Sequence, residues 1–594
     1  MKTFNLYKAF MAIPLAAGLM LSSCMDTINP TNVASAEQIQ ASSNSLSMLA
    51  GGLKTKMIAV NSYGSSSGSY YITQDWGYPC YMFVRDVLCE DFPTPDFSWN
   101  YQSAYEKGSN LTSHTAYPYY YYYTFINNAN RLIGLIDLET ASENERHYAG
   151  IARVYRALCY YDLSFMFEFQ PTGYTDLDAK AEEVLGLTVP IVTEQTDKEQ
   201  TKNNPRAPFY TMYRFIYSDL SMAEELLANY SRSTKEEPNK DVVNALMARF
   251  WLTLATRFRQ SADDLTEQLA HEGDDDGYKA LGITTAKQCY EKALAYADKV
   301  ISAGYAPLSE SQWHDAVTGF NTANQSWVWC MRFSSVEQLP DFWNSIVGQI
   351  NPEVTWAMPA YGGAYRQIGA YLYTCISDAD WRKTTWIDPE DAGKKVVPSK
   401  YQTLLKDENA TSLADNTNFS RVPAYAGLKF RSASGDMVDP LVGMLCDVPV
   451  IRVEEMYFIK AEALAYAVDK QAGADAINAF INTYRYTDGS FQARSDYYSY
   501  LLDDILTQKR IEFWGEGIVY YDYKRLKKAV TRNYAGTNYL DDYQLNSKDG
   551  YVAPWMNFYI PEIERSFNQG IVMNPDCTPT VQQYCTKDAV SSNK

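Results

Sequence analysis

Five segments of this chain carry apolar residues at i, i+3, i+4 and i+7: Asn127 to Asp137, Glu143 to Phe169, Phe209 to Leu227, Asp241 to Gln260 and Ala286 to Ala303. That spacing lines up one face of an α-helix, whereas a half-buried strand would alternate with a period of two. A second block, Val450 to Tyr484 and Tyr498 to Lys528, has the same texture. The chain is therefore expected to be mainly α. At 594 residues it is too long for one simple core, which stops growing near ~250–300 residues, so repeats or long excursions must account for the rest.

The helical segments come in pairs. In Val242 to Phe250 and Tyr290 to Ile301, small alanines stand where two helices would cross, the character of a tetratricopeptide helix hairpin. The expected architecture is a tetratricopeptide-like helix-pair scaffold with long irregular excursions. One excursion, Asn61 to Pro118, interrupts the N-terminal helices; the other, Pro307 to Pro449, is rich in Trp, Tyr, Gly and Asn, with a strand-like run at Trp327-Val328-Trp329. Structureless stretches of this length are unusual unless they carry function. Helices thus read as scaffold and excursions as site. The boundaries that follow are 1–23 for a signal peptide, 24–47 for a lipidated tether, 48–306 for the N-terminal helical part, 307–449 for the second excursion and 450–594 for the C-terminal helical part.

The N-terminus gives the compartment. Lys2 and Lys8 precede an apolar run from Ala9 to Leu21, too short to span ~30 Å of hydrocarbon, and Leu21-Ser22-Ser23-Cys24 follows at once. This resembles a bacterial lipobox, which implies cleavage before Cys24 and lipidation there. With 71 acidic and 52 basic side chains the formal net charge is −19, so nucleic acid and anionic membrane surfaces are poor partners. A mean hydropathy of −0.35 excludes a polytopic membrane protein. Forty-nine Tyr and 12 Trp supply many flat surfaces with a polar edge, which suits neutral polar ligands. Apart from Cys24 there are nine cysteines without any C-x-x-C pair, and only four His. No zinc site is expected, and the cysteines read as small buried hydrophobes, with Cys80 and Cys89 the pair to check for a bond.

Which residues could do chemistry? Glu512 and Glu516 stand at i and i+4, and a glycosidase needs two carboxylates ~5–9.5 Å apart. Yet Arg510 and Arg525 are at hand as partners, and Phe513, Trp514, Tyr520 and Tyr521 suggest a buried seam, so a structural role is expected and no catalytic residue is assigned. Arg452 with Glu455 and Glu462 reads the same way. Asp274-Asp275-Asp276-Gly277 lacks the alternation and the closing Glu of a calcium loop and reads as a solvated connection. No nucleophile-elbow or phosphate-loop motif opens a helix, and no cofactor or metal is expected. Binding is better supported. A sugar offers C–H faces and hydroxyl edges, which pair with flat aromatics and with Asp, Asn or Arg. Asp75, Trp76, Arg85, Trp99, Asn100 and Tyr101 in the first excursion have that mixture. Trp356, Tyr361, Tyr365, Trp381 and Trp386 extend it in the second. Trp327 and Trp329 read as core; for Trp76 and Trp99 exposure stays open.

Four segments carry a resemblance. Arg452 to Ala463, with Glu455, Tyr457 and Ala461-Glu462-Ala463, is similar to the R-x-x-E-x-Y-L-x-x-A-E-A helix of the SusD/RagB family of bacterial surface lipoproteins. Lys509 to Arg525 resembles that family's R-x-E-F-x-x-E-G-x-R-x-x-D-x-x-R, keeping Arg510, Glu512, Glu516, Gly517, Asp522 and Arg525 but with Val519 where an Arg is usual. Tyr559 to Glu564, followed by Asn568 and Asn574-Pro575, is similar to its closing motif, and Ile126 to Asn130 with Arg153 to Ala157 to its early helices. The resemblance implies a lipid-anchored protein on the outer face of the outer membrane. It would capture a glycan, or in the RagB branch a peptide, and deliver it to a SusC-like TonB-dependent transporter without breaking a bond.

Overall fold

The computed structural model describes residues 44–60, 62–65, 68–71, 75–94, 102–339, 344–356, 363–395, 398–401 and 422–586. The unit considered below begins at Leu46. Its longer helices are α1 (Ser45–Ile58), α2 (Tyr78–Leu88), α3 (Ala116–Gly134), α4 (Glu143–Phe167), α5 (Phe209–Leu226), α6 (Lys240–Gln260), α7 (Ala262–Ala270), α8 (Ala286–Ile301), α9 (Val453–Ala467), α10 (Lys470–Tyr484), α11 (Tyr498–Glu512) and α12 (Val519–Leu526). Among the described residues there are also shorter helices and two antiparallel ribbons, β1 (Ser62–Ser65) with β2 (Gly68–Tyr71) and β3 (Trp327–Met331) with β4 (Val448–Arg452).

The periodic segments form helices close to their expected bounds, and their starts have local causes. Ser142 and Glu145 make a reciprocal capping box at α4, with Ser142 N donating to Glu145 Oε2 at 2.7 Å; Thr285 and Gln288 do the same at α8, and Asn239 caps α6. Each helix packs on the next from α3 to α6, α8 lies along α6, α9 packs on α8 and also touches α6, and α10 packs along α9. Ala245, Ala248, Ala293 and Ala297 are fully buried at the α6–α8 crossing, where small side chains let the backbones approach. The chain leaves this stack after α8 and re-enters it at α9. Ribbon β3–β4, with Trp327 opposite Arg452, closes the neck of that long excursion. All five β3 residues are buried, Trp327 and Trp329 included.

Two expectations need correction. The first excursion is not irregular throughout, because α2 runs through it with every residue buried. Pro79, which punctuates a loop in the sequence, sits in the first turn, where its missing N–H costs nothing. The Asp274–Asp276 run is not merely solvated: Asp276 and Asp274 accept from the buried Arg214 at 2.7 and 3.3 Å. None of the nine cysteines within the described residues is in a disulfide, so Cys80 and Cys89 are not bonded to each other, and all but the half-buried Cys375 are buried. Among the described residues no helix is long and apolar enough to cross a membrane.

Candidate functional site

The carboxylates that could suggest hydrolysis lie at the centre of the molecule. Glu512 is the last residue of α11, and Glu516 lies in the turn that follows, so the two are not stacked on one helix. Glu512 accepts from Arg382 Nη1 (2.8 Å), Arg452 Nη1 (3.1 Å), and Arg485 Nε and Nη2 (both 2.8 Å). Glu516 accepts from Lys429 Nζ (2.5 Å) and from Arg452 Nε and Nη2 (both 2.8 Å). Glu454 and Asp380 complete a set in which four cations face four carboxylates, all essentially without solvent. Burial alone would raise the Glu512 pKa, but the Arg485, Arg452 and Arg382 guanidiniums hold it well below the usual carboxylate range. A general acid needs the opposite shift and a path to substrate, and this cluster has neither.

The partners differ from those expected. Arg510 pairs with Glu90 and Asp91 (both 2.6 Å), and Arg525 with Glu462 (2.5 Å) and Asp522 (2.8 Å). Glu455 pairs with Arg249 (2.7 Å) rather than Arg452. Gly517, between Glu516 and α12, has a φ of +66°, and a side chain there would run into the Met82 backbone of α2. The motif is thus where α2, α11 and α12 meet.

Most of the aromatic candidates turn out to be core. Trp76 is 1% exposed and packs on Phe83, with ring centroids 6.2 Å apart; Asp75 is fully buried beside it. Arg85 lies against Asp162 at 3.2 Å and donates to Gly517 O at 2.8 Å. Trp356 and Trp386 are buried, and Trp381 is buried with its indole N–H donating to Tyr484 O at 2.9 Å. None of these offers a ring face to a ligand. Gly, Asp and Pro beside a Trp mark a turn, not exposure, which is why the flanks misled. Trp99, Asn100, Tyr101 and Tyr361 lie outside the described residues, and Tyr365 is half-buried.

The points where described chain meets those segments converge. Gln367 N donates to Pro93 O (2.9 Å), Arg366 Nη1 to Phe92 O (3.1 Å), and Gln367 Nε2 to Ala424 O (2.7 Å). Residues 92–94, 363–367 and 422–426 therefore leave from one patch. Around it stand tyrosines that sequence reasoning did not single out. Tyr371 and Tyr425 are half-buried, the Tyr371 N–H donates to Tyr534 Oη at 3.0 Å, and the Tyr373 and Tyr425 rings meet edge-on at 5.3 Å. Tyr425 has a φ of +67°, a costly conformation for a bulky residue; its N–H donates to Ile387 O (2.6 Å) and its carbonyl accepts from Ile368 N (3.0 Å). Burial and the nearby Asp388 carboxylate push the Tyr373 hydroxyl pKa up, so it is a neutral donor. Asp388, Lys383 and Lys400 supply charged hydrogen-bonders at the edge, Lys400 lying 3.3 Å from Asp388. Rings with polar edges over a fixed backbone are what a neutral polyhydroxylated ligand requires.

A family model described as starch-binding and associating with the outer membrane, of SusD-like type, matches residues 84–252, and the SusD family model (SusD/RagB) matches residues 361–575. The chain belongs to the SusD/RagB family. Its fold is that of solved family members. A SusD-like carbohydrate-binding protein from Bacteroides vulgatus superposes with a TM-score of 0.61 at 19% identity, over 89% of this chain and 96% of that one. A SusD superfamily protein from Bacteroides thetaiotaomicron gives 0.60 at 18% identity, over 91% and 100%. A laminarin-binding SusD-like protein gives 0.55 at 18% identity, over 90% and 99%. No curated protein matches the sequence. SusD-like proteins bind carbohydrate and are not enzymes, and lipoprotein character and outer-membrane association are consistent with the family.

In a SusD/RagB scaffold the central carboxylates carry stability. Glu512→Gln should lower it by ~3–5 kcal/mol at neutral pH, because three guanidiniums lose a buried counter-charge. Since the folded pKa of Glu512 is depressed, its contribution is complete above the unfolded value of ~4.3 and is lost as pH falls through the folded one. Denaturant melts of both proteins should differ by a constant amount from pH 8 to about 5 and converge below that; equal stability at pH 7 contradicts the assignment.

Proposed function

We propose that this protein captures a glycan at the cell surface and passes it to a SusC-like TonB-dependent transporter, held at the outer membrane by lipid on Cys24 and facing the exterior. The observation that carries the reading is the half-buried pair Tyr371 and Tyr425, with the Tyr371 N–H donating to the buried Tyr534 hydroxyl and Tyr425 held by backbone hydrogen bonds to residues 368 and 387. In this reading Trp99, Asn100 and Tyr101 are the candidates for a further stacking face and edge hydrogen bonds. No bond is broken: the acidic pair that could do so is sealed and already neutralised. The solved relative that binds laminarin supports a glycan over a peptide. Affinity per ring is modest, because each hydroxyl exchanges water for protein.

Trp99→Ala and Tyr371→Ala should each weaken retention on polysaccharide-containing native gels by about tenfold or more, ~1–3 kcal/mol, with little change in melting temperature. Trp76→Ala is the contrast: truncating a buried Trp should cost ~3–5 kcal/mol of stability while the folded fraction binds normally. Should Trp99→Ala and Tyr371→Ala bind every tested polysaccharide as the parent does, the glycan face lies elsewhere. Cys24→Ala should move the protein out of the detergent phase in a partition assay; unchanged partition rejects the anchor.

A further inference from the structure

Residues 531–539, beyond α12, grip both excursions at once. Arg532 is fully buried and donates from Nε to Cys89 O (2.8 Å), from Nη2 to Val87 O (2.7 Å) and from Nη1 to Glu106 O (2.5 Å). It thereby closes the C-terminal end of α2, where helix carbonyls lack partners of their own. Thr537 Oγ1 donates back to Arg532 O at 2.8 Å, which ties the far half of the loop to that anchor. From there the loop reaches the second excursion. Asn538 Oδ1 accepts from Ala370 N (2.8 Å), Asn538 Nδ2 donates to Ile368 O (3.0 Å), and Tyr534 Oη accepts from Tyr371 N (3.0 Å).

These contacts are helix caps supplied from outside. The short helix Ala370–Thr374 begins after Gly369, which has no side chain to bond the first N–H groups. A side chain would be crowded there, because a Cβ on Gly369 would lie 3.0 Å from Glu90 O and 3.1 Å from Asp91 Oδ1. The backbone at 368–371 is therefore held from another part of the chain. Both tyrosines of the proposed site depend on that stretch. Tyr371 follows Ala370 directly, and the Tyr425 carbonyl accepts from Ile368 N at 3.0 Å. Asn538 holds one residue on each side of Gly369, which takes an acceptor and a donor on one short side chain, as an amide provides. We propose that Asn538 is a positioning residue of the binding site: it touches no ligand but sets the spacing of Tyr371 and Tyr425 through residues 368 and 370. The ligand class rests on the glycan reading above; the placing of the two rings does not.

The test compares Asn538→Ala and Tyr534→Phe with the parent and with Asn239→Ala, which removes a cap of the same kind from α6. Each protein is melted, titrated with the retained polysaccharide, and followed by hydrogen exchange without ligand. Asn538→Ala and Tyr534→Phe should each weaken binding by about fivefold or more, the equivalent of one net hydrogen bond. Asn538→Ala should also speed exchange in both 368–374 and 424–428. Asn239→Ala should lower the melting temperature and leave binding and those two segments as in the parent. Asn538→Ala that binds as the parent does, or that exchanges as the parent does in both segments, overturns the proposal; so does equal weakening in Asn239→Ala, which would make the effect one of stability alone. If Asn538→Ala does not fold, Asn538→Asp takes its place, keeping the acceptor for Ala370 and losing the donor to Ile368, with the same outcomes deciding. Should the parent retain no polysaccharide, the glycan reading falls and exchange alone decides: faster in both segments supports the positioning of the two tyrosines, unchanged overturns it.

Discussion

Glu512 receives four hydrogen bonds from three guanidinium groups in a place water does not reach, and the rest of the molecule is arranged around that fact. Moving one ion from water into a protein interior costs several kcal/mol, and the cost is offset only when geometry and partners are complete. Here they come from distant parts of the chain: Arg382 from the long excursion, Arg452 from the end of β4, and Arg485 from just beyond α10. Forming the cluster therefore fixes the excursion against the helical stack. Beside it, Arg85 and Arg510 bind the first excursion to the same turn through Gly517 O and through Glu90 and Asp91. Loops that would otherwise drift are seated on a rigid frame, and that seating gives the surface tyrosines a defined geometry.

The frame was legible in the sequence because helix packing leaves a local record. Periodicity fixed α4, α5, α6 and α8 within a few residues, each being long enough to repeat the apolar spacing over several turns. The α2 helix was hidden by Pro79 in its first turn and by the Gly, Asp and Pro residues on either side of it. The charged cluster was half legible. Glu512 and Glu516 beside so many aromatics could only be buried and paired, but the partners Arg382 and Arg485 stand 130 and 27 positions away, and no local spacing points to them. Arg510 and Arg525, the neighbours in sequence, point elsewhere.

The binding surface was less legible still. Composition announced a protein rich in flat polar-edged rings, but not which of them face outward. Trp76, Trp356 and Trp381 are in the interior although turn-forming residues surround them, because the excursions pack into the same core as the helices. Tyr371, Tyr425 and Tyr534 drew no attention in the sequence, and contacts between distant segments, Tyr371 N–H to Tyr534 Oη and Ile368 N–H to the Tyr425 carbonyl among them, bring them together. The strain at Tyr425 is a feature that no residue pattern could reveal.

The account divides the molecule into a sealed ionic centre that holds the fold and an aromatic surface that holds the ligand. Hydrogen–deuterium exchange with and without a retained polysaccharide tests that division most directly. Protection should appear in 363–374, 422–428 and 531–539, leave 452–462 and 509–517 unchanged, and be accompanied by no shortening of the polysaccharide. Protection centred on 509–517, or release of new reducing ends during the incubation, would contradict it.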